Sequence, residues 1–513
     1  MFSAFQTFGK LGALASSVAR AWTPTTLFAA GEAGGLWDFS TLANLYQNSA
    51  GTTPCTAVGD PIGLVLDTKN GTPQLGSELV TNGDFSNGTT GWTLEAYTTA
   101  GTPAGGKVRF SGTAPNTNFN SIAYQVLSVV AGRAYRIDVP QTIVAGNVAV
   151  GFYASGVSGL NIGGSNGATP CIVVATSTTL CITLYAWNGA STNVPFDVTF
   201  GPVTAKEIPG NHLTQSTSTK RPTLGRTPAT GVRNLLVNTA TLSTQNVNTS
   251  AGSYTIQFTG AGSVTASGTY SGALTNGQTF TCTAGTLTLT VSGSVTNAQL
   301  EAGSTATAYQ RVGDPYDITE SGVASVYTAY FDGVDDCLVS PSIDFSGTDK
   351  MTVFEGSRPA TYTAQGVLVE VGSNYDSLYP SFLVRGAHTT SNYLFSAFHG
   401  STGYYTGPTL PANMGDVAHI RSLAFDASAL TWSGKVPISR VNGVEYAGSD
   451  LSAVPAETTF VSAPVYIGQR NQAQQPYKGF IQGISIRGAT TDADTIVKME
   501  KWMAARTPGA VLP

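Results

Sequence analysis

Charge is scarce in this chain of 513 residues: only 11% are Asp, Glu, Lys or Arg, against roughly a quarter in ordinary soluble domains. The formal net charge is −5. No cluster of Lys and Arg exists that could neutralise several phosphates, which argues against a nucleic-acid partner. Cysteine is scarce as well. Cys55, Cys171, Cys181, Cys282 and Cys337 are odd in number and scattered, whereas a secreted disulfide scaffold carries more. Cys171 and Cys181 flank one expected turn and could pair across a hairpin. Buried free thiols, in a chain made in a reducing cytosol, are the stronger reading. The four histidines, His212, His388, His399 and His419, show no metal spacing with one another or with cysteine. No stretch has the length and apolarity of a transmembrane helix, so no membrane insertion is expected. No heptad run specifies a trimeric coiled coil.

What is present points to sheets. Disorder goes with few apolar residues and high net charge, but 41% of the residues are hydrophobic and 10% aromatic, so the chain folds. β-branched and aromatic residues punctuated by Gly read as short strands joined by tight turns. The length suits three or four domains. Helical signal is confined to the ends. Phe2, Phe5, Phe8 and Leu11 sit at the spacing of a single apolar helical stripe. The early positive charge of a signal peptide is missing, since Lys10 comes late; a short docking helix is preferred to a cleaved leader. A second helix is expected from Thr491 to Ala505, capped by Thr490 or Thr491, with Ile496, Met499 and Met503 as its apolar face.

Between the ends the composition changes several times. A first unit covers residues 34–71. A strand-rich segment then contains Tyr124-Gln-Val-Leu-Ser-Val and Ala134-Tyr-Arg-Ile-Asp-Val, and closes at Ile208. A polar stretch from Gly210 to Arg226 precedes a second, smaller strand-rich segment. There Ala251-Gly-Ser-Tyr254-Thr-Ile echoes Ala131-Gly-Arg-Ala-Tyr135-Arg-Ile, which suggests two sandwiches of related type. In the last unit Asn442-Gly443 lies between Ile438-Ser-Arg-Val and Val444-Glu-Tyr, the strongest short hairpin signal in the chain.

Phe331-Asp-Gly-Val-Asp-Asp-Cys-Leu338, with Val465-Tyr-Ile-Gly-Gln-Arg470 and Tyr477-Lys-Gly-Phe-Ile-Gln-Gly-Ile-Ser-Ile486, resembles laminin-G- or pentraxin-like domains of the concanavalin A class. Asn82-Gly-Asp-Phe85, Gly91-Trp92 and the strand ending at Ile208 resemble galactose-binding-type carbohydrate-binding modules. The domain combination and the phrase from Trp37 to Pro54 resemble bacteriophage fibre or spike proteins. These resemblances imply an all-β, multi-domain β-sandwich protein: a discontinuous jelly roll with two inserted β-sandwiches and short N- and C-terminal helices. The expected divisions are 1–33 for virion docking, 34–71, 210–226 and 316–513 for the jelly roll, and 72–209 and 227–315 for the insertions. Three beads on a string is the alternative.

Catalytic patterns are weak. Gly163-Gly-Ser165-Asn-Gly167 fits Gly-x-Ser-x-Gly, but no helix is expected after it, so a turn is expected instead of a nucleophile elbow. Glycanases of the concanavalin A fold place carboxylates at alternate positions of one strand. Val367-Leu-Val-Glu370 offers one, so no enzyme activity is expected. Asp332, Asp335 and Asp336 read equally as oxygen ligands for Ca²⁺ or as a Gly-rich turn; no other cofactor is expected. Sugars need exposed rings beside amide or carboxylate groups. Tyr404, Tyr405 and His399 in a Gly-rich loop, Asn374 and Tyr375 in another, and Trp187 in the first insertion are the candidate carbohydrate-binding residues. Trp92 and Tyr135 read as core.

The expected function is a virion fibre or spike subunit, on the external surface of the particle, that binds host-surface polysaccharide. It would be made in the host cytoplasm and meet other virion proteins through its N-terminal segment. By analogy with phage appendages it would form a homo-oligomer, a trimer being the common form. A purely structural decoration or collar protein and a polysaccharide depolymerase are the alternatives.

Overall fold

The computed structural model describes residues 22–49, 51, 53–71, 75–115, 120–154, 156, 161–165, 170–186, 193–359, 366–372, 381–386, 395–399, 404–406, 417–428, 438–446, 450–451 and 459–513. The expected N-terminal helix lies outside them. The described residues are mostly strand, and the protein is an all-β multi-domain β-sandwich. No helix among them is long and apolar enough to cross a membrane.

Two large antiparallel sheets face each other. One has eight strands and is organised by Lys478–Arg487. One edge of that ten-residue strand pairs with Lys350–Pro359. Its other edge is shared: Ser325–Asp332 takes the first half, and Gly34–Asp38 takes the second, with Trp37 opposite Ile484. Thr223–Pro228 extends this sheet beside Ser325–Asp332. The second sheet has ten strands and includes Leu64–Val65, Leu213–Thr214, Leu338–Val339 and Val465–Ile467. One apolar core fills the space between the sheets. It draws Trp37 and Val65, Leu213 and Leu224, and Phe331 and Ile484 from three separate stretches of chain.

Two further cores are local in sequence. One lies within residues 80–205, around Phe85, Trp92, Phe110 and Tyr135. The other lies within 236–300, around Tyr254, Phe280 and Leu300. Their construction is shared. Glu78 Oε1 accepts from Val80 N at 2.9 Å and from Ala205 N at 2.8 Å. Asn234 Oδ1 accepts from Leu236 N at 3.1 Å and Leu300 N at 3.2 Å. Four residues further on, Asn82 and Asn238 both adopt left-handed backbone, with φ of 52° and 53°, which Asn tolerates. Ala205 stands opposite Ile137, and Leu300 opposite Ile256. Two residues before each Ile, the Tyr135 hydroxyl accepts from Val130 N at 2.8 Å and the Tyr254 hydroxyl from Ser250 N at 2.9 Å. The short sequence echo is thus one hydrogen-bonded device used twice.

Several local expectations need correction. The C-terminal helix is Ala493–Ala504, and Asp492, not a threonine, caps it by accepting from Thr495 N. A short carboxylate serves this position as well as a hydroxyl and also suits the helix dipole. Met499 and Met503 are buried against Leu36, Phe354 and Ile420, on the outer side of the eight-stranded sheet. Gly163 to Ser165 lie in the strand Asn161–Ser165, paired with Val148–Tyr153, so they form neither a turn nor an elbow. Ladder pairing satisfies the backbone where a local reading saw only turn-forming residues. For Cys171 and Cys181 the stronger expectation holds, and they do not pair across a hairpin. Their strands belong to different sheets, and all five cysteines are buried free thiols. At Asn442-Gly443 the hairpin forms as its residues predict, with φ of 48° and 80°, the positive values a two-residue type I′ turn needs.

Gly468 marks a tight contact between the two sheets. Its φ is +86°, and a Cβ there would lie 2.2 Å from the Phe331 ring. Gly468→Ala is expected to cost about 1–3 kcal/mol. Urea denaturation of the full chain checks this; an unchanged midpoint would show that the ring can move aside.

Candidate functional site

The structure spreads the expected sugar-binding residues unevenly. Trp187, Asn374 and Tyr375 lie outside the described residues. His399 and the two tyrosines are not in a loop. His399 ends the strand Phe395–His399, and Tyr404 and Tyr405 begin Tyr404–Thr406. The aromatic and Thr residues that suggested an adhesive loop are good strand formers. The ladder sets His399 opposite Tyr404 and Phe398 opposite Tyr405, and Asp450–Leu451 pairs on the far side. The register therefore brings His399 and Tyr404 together. Trp92 and Tyr135 are core residues, at 7% and 1% exposure.

A better-defined site lies at a seam the sequence reading did not single out. Arg226, on Thr223–Pro228, stands directly opposite Tyr327, on Ser325–Asp332. Paired residues of an antiparallel ladder share a face, so guanidinium and phenol lie side by side. The chain then supplies Asp314-Pro-Tyr-Asp317. Its turn is closed by Asp317 N donating to Asp314 O at 2.9 Å, with Pro at the position that favours such a turn. The turn delivers Asp317 to Arg226 Nε at 2.6 Å and to Arg311 at 3.2 Å. It also places Tyr316 beside Asp314. Arg226, Asp314, Tyr316, Asp317 and Tyr327, with Thr56, Ala57 and Val58, line an open groove of about 400 Å³.

The electrostatics of the groove are settled by close contacts. Burial raises the Asp317 carboxyl, but Arg226 and Arg311 outweigh it and hold the group below its ordinary range. The Tyr316 phenol is pushed up, first by burial and then by Asp314 and Asp317, so it stays protonated near neutral pH and can donate. Both tyrosines are half-buried, while Asp314 is exposed. The groove thus offers two rings, a carboxylate acceptor, and guanidinium and phenol donors. The signal that could have found it is the Asp-Pro-Tyr-Asp turn. Its partner Arg226 lies about ninety residues away, beyond any local pattern.

The acidic loop is also formed. Oxygens of Asp332, Asp335 and Asp336 lie within 4.8 Å of one another. Asp336 accepts from Asp332 N at 2.8 Å, and Asp332 from Val334 N at 2.7 Å, so the loop is partly held by its own backbone. Burial pushes the Asp336 carboxyl up to about 7, with Asp332 and Asp335 adding to the rise. Hard oxygen donors at this spacing could hold Ca²⁺. Glu370 is buried, and its ladder partners are Leu383 and Tyr466, not a second carboxylate. It accepts from Asn471 N at 2.7 Å.

No family model matches the chain, and nothing among the curated proteins matches it. Among solved structures, it is similar to the sialidase module CBM40 of Ruminococcus gnavus, at 16% identity over 30% of this chain and 84% of that one, with a TM-score of 0.25. It is similar to domain 4 of the extracellular arabinanase AbnA from Geobacillus stearothermophilus, at 15% identity over 39% and 83%, TM-score 0.24. It is also similar to domains LG4-5 of the mouse laminin α1 chain, at 11% identity over 82% and 99%, TM-score 0.25. At such scores these likenesses assign no function.

Proposed function

We propose that this chain is a carbohydrate-binding protein that takes a sugar in the Tyr316–Tyr327 groove. One observation carries the reading: two half-buried tyrosines, Tyr316 and Tyr327, line one groove with Asp314, Arg226 and Asp317. Sugar rings pack their C–H faces on aromatic rings and exchange hydrogen bonds at their hydroxyl rims. The Arg226–Asp317–Arg311 network fixes the donors beforehand, which lowers the ordering cost of binding. Glycan arrays and whole-cell binding with the full chain test the reading. Tyr316→Ala and Tyr327→Ala should each weaken binding about tenfold, the equivalent of burying part of one ring. Undiminished binding by a double variant with an unchanged melting midpoint would remove this groove from the account. Absence of binding to any cell or extracted polysaccharide would remove the function.

The fuller proposal is a fibre or spike subunit of a phage particle, docked through residues 1–33, oligomeric, and binding host polysaccharide without cleaving it. The resemblance of the Trp37–Pro54 phrase and of the domain combination supports the first part. The environment of Glu370 supports the last. Antibody labelling of particles should mark a fibre or spike, and host polysaccharide should release no reducing ends.

A further inference from the structure

We propose a second binding site, specific for a carboxylate-bearing sugar, in the cleft where the first inserted sandwich meets the jelly roll. The cleft holds about 320 Å³ and sits between Asn44, Tyr46 and Leu66 on one wall and Arg136 and Ile172 on the other. That volume is in the range of small-molecule sites, which favour domain interfaces and combine apolar walls with a few polar groups. The contact is built in. Gly51 O accepts from Ile172 N at 3.2 Å, and Leu64, Leu66, Ala134, Ile172 and Ile208 form a small apolar cluster of their own beneath the cleft.

Arg136 selects the ligand. It is exposed, and its guanidinium makes no ion pair or hydrogen bond among the described residues. Arg133, three residues earlier, by contrast holds Glu207 at 2.7 Å. Directly opposite Arg136 in the ladder is Lys206, which also makes no ion pair among the described residues. Arg136 is thus a cation lining an apolar cleft in a chain of net charge −5. Arg136 is close enough to Tyr46 to oppose the upward push that burial gives its phenol. A planar guanidinium matches a carboxylate with two parallel hydrogen bonds. Beside it, Tyr46 and Asn44 supply a ring and an amide, and Ile172 and Leu66 supply apolar wall. A uronic or nonulosonic acid ring satisfies all of these at once. A neutral sugar leaves the guanidinium unmatched.

This inference extends the glycan-binding reading but uses a different cleft, so each can fail alone. Titration of the purified full chain with methyl β-glucuronide and methyl β-glucoside isolates the carboxylate, since the two differ only there. The glucuronide should bind at least about tenfold more tightly, the worth of a charge-assisted hydrogen-bonded pair. Arg136→Gln should bring it down to the glucoside's level without changing the melting midpoint, and Arg136→Lys should retain part of the preference. Equal binding of the two glycosides, full binding by Arg136→Gln, or no glucuronide binding at millimolar concentration would each overturn the site. Tyr316→Ala should leave glucuronide binding unchanged, and loss there would assign the acidic sugar to the first groove instead.

Discussion

Asp67→Ala should destabilise the jelly roll by about 3 kcal/mol or more while leaving the sandwich within residues 80–205 folded. Asp67 is a hub, buried to 2% exposure. Its Oδ1 accepts from Leu36 N at 2.9 Å and Lys69 N at 3.0 Å, and its Oδ2 accepts from Asn211 N at 2.8 Å. Trp37 Nε1 donates to Asn211 O at 2.8 Å. These bonds close the point where the chain leaves for the first inserted sandwich and returns from it. Alanine would strand the buried Leu36 N–H, at a cost of about 1–3 kcal/mol, and remove the acceptor of the part-buried Lys69 and Asn211 N–H groups as well. The inserted sandwich has its own core, drawn from other residues. Calorimetry should therefore show one transition moving down and another holding. A thermogram identical to the parent's would show that the hub is dispensable.

The same hub sets a pH response. Asp67 N donates to His212 Nδ1 at 2.8 Å, so the imidazole carries its proton on Nε2 and donates to Ile208 O at 2.9 Å. Burial lowers the His212 pKa, because a charged ring there would lose water and meet an N–H instead of an acceptor. The folded protein then binds fewer protons than the unfolded chain below about pH 6.5. Stability from this group is full above that pH and falls as the solution becomes more acidic. Asp336, raised to about 7, acts with the opposite sign between the ordinary carboxylate range and pH 7. The imidazole NMR signals of His212 read the effect directly, without that opposition. They should not titrate where an exposed histidine is half protonated.

Arg421→Met is the second large effect, with an expected cost of about 3–5 kcal/mol. Glu355 and Arg421 are 0% and 1% exposed, and Arg421 Nε donates to Glu355 Oε1 at 2.9 Å. The pair joins Lys350–Pro359 to His419–Asp426, where the two residues stand directly opposite in the ladder. Burial would raise the Glu355 carboxyl, but Arg421 and then His419 outweigh it and hold it below the ordinary range. Its stabilising contribution is therefore present above the unfolded value and is lost only as pH falls through the lower folded value. Removing the guanidinium leaves a buried carboxylate short of its main partner. Adding Glu355→Gln should recover part of the loss, because the charge goes too. Urea denaturation of the two single variants and the double variant measures the coupling. Additive losses would show that the pair is not coupled.

Legibility followed distance along the chain. The Asn442-Gly443 hairpin and the Ile496–Met499–Met503 stripe were readable because their interactions close within a few residues. Tyr404 and His399 were singled out as loop aromatics, but the same propensities put them in strands once neighbouring strands were available. Arg226 and Tyr327, like Tyr46 and Arg136, carry no mark in their own surroundings. Each becomes part of a candidate site only across a seam.

The sequence by itself determined that this protein is built of sheets. Low charge, abundant Gly and aromatic or β-branched runs permit little else. It also determined the tight turns and the α-helix Ala493–Ala504, where side-chain spacing and backbone dihedrals are local properties. Only the tertiary structure decided that Lys478–Arg487 would hold both Gly34–Asp38 and Ser325–Asp332 on one edge. The reason is physical: a strand exposes the same row of donors and acceptors to any partner. Choice among partners is made by the packed core and by hubs such as Asp67, and both proposed clefts lie where those choices bring distant segments together.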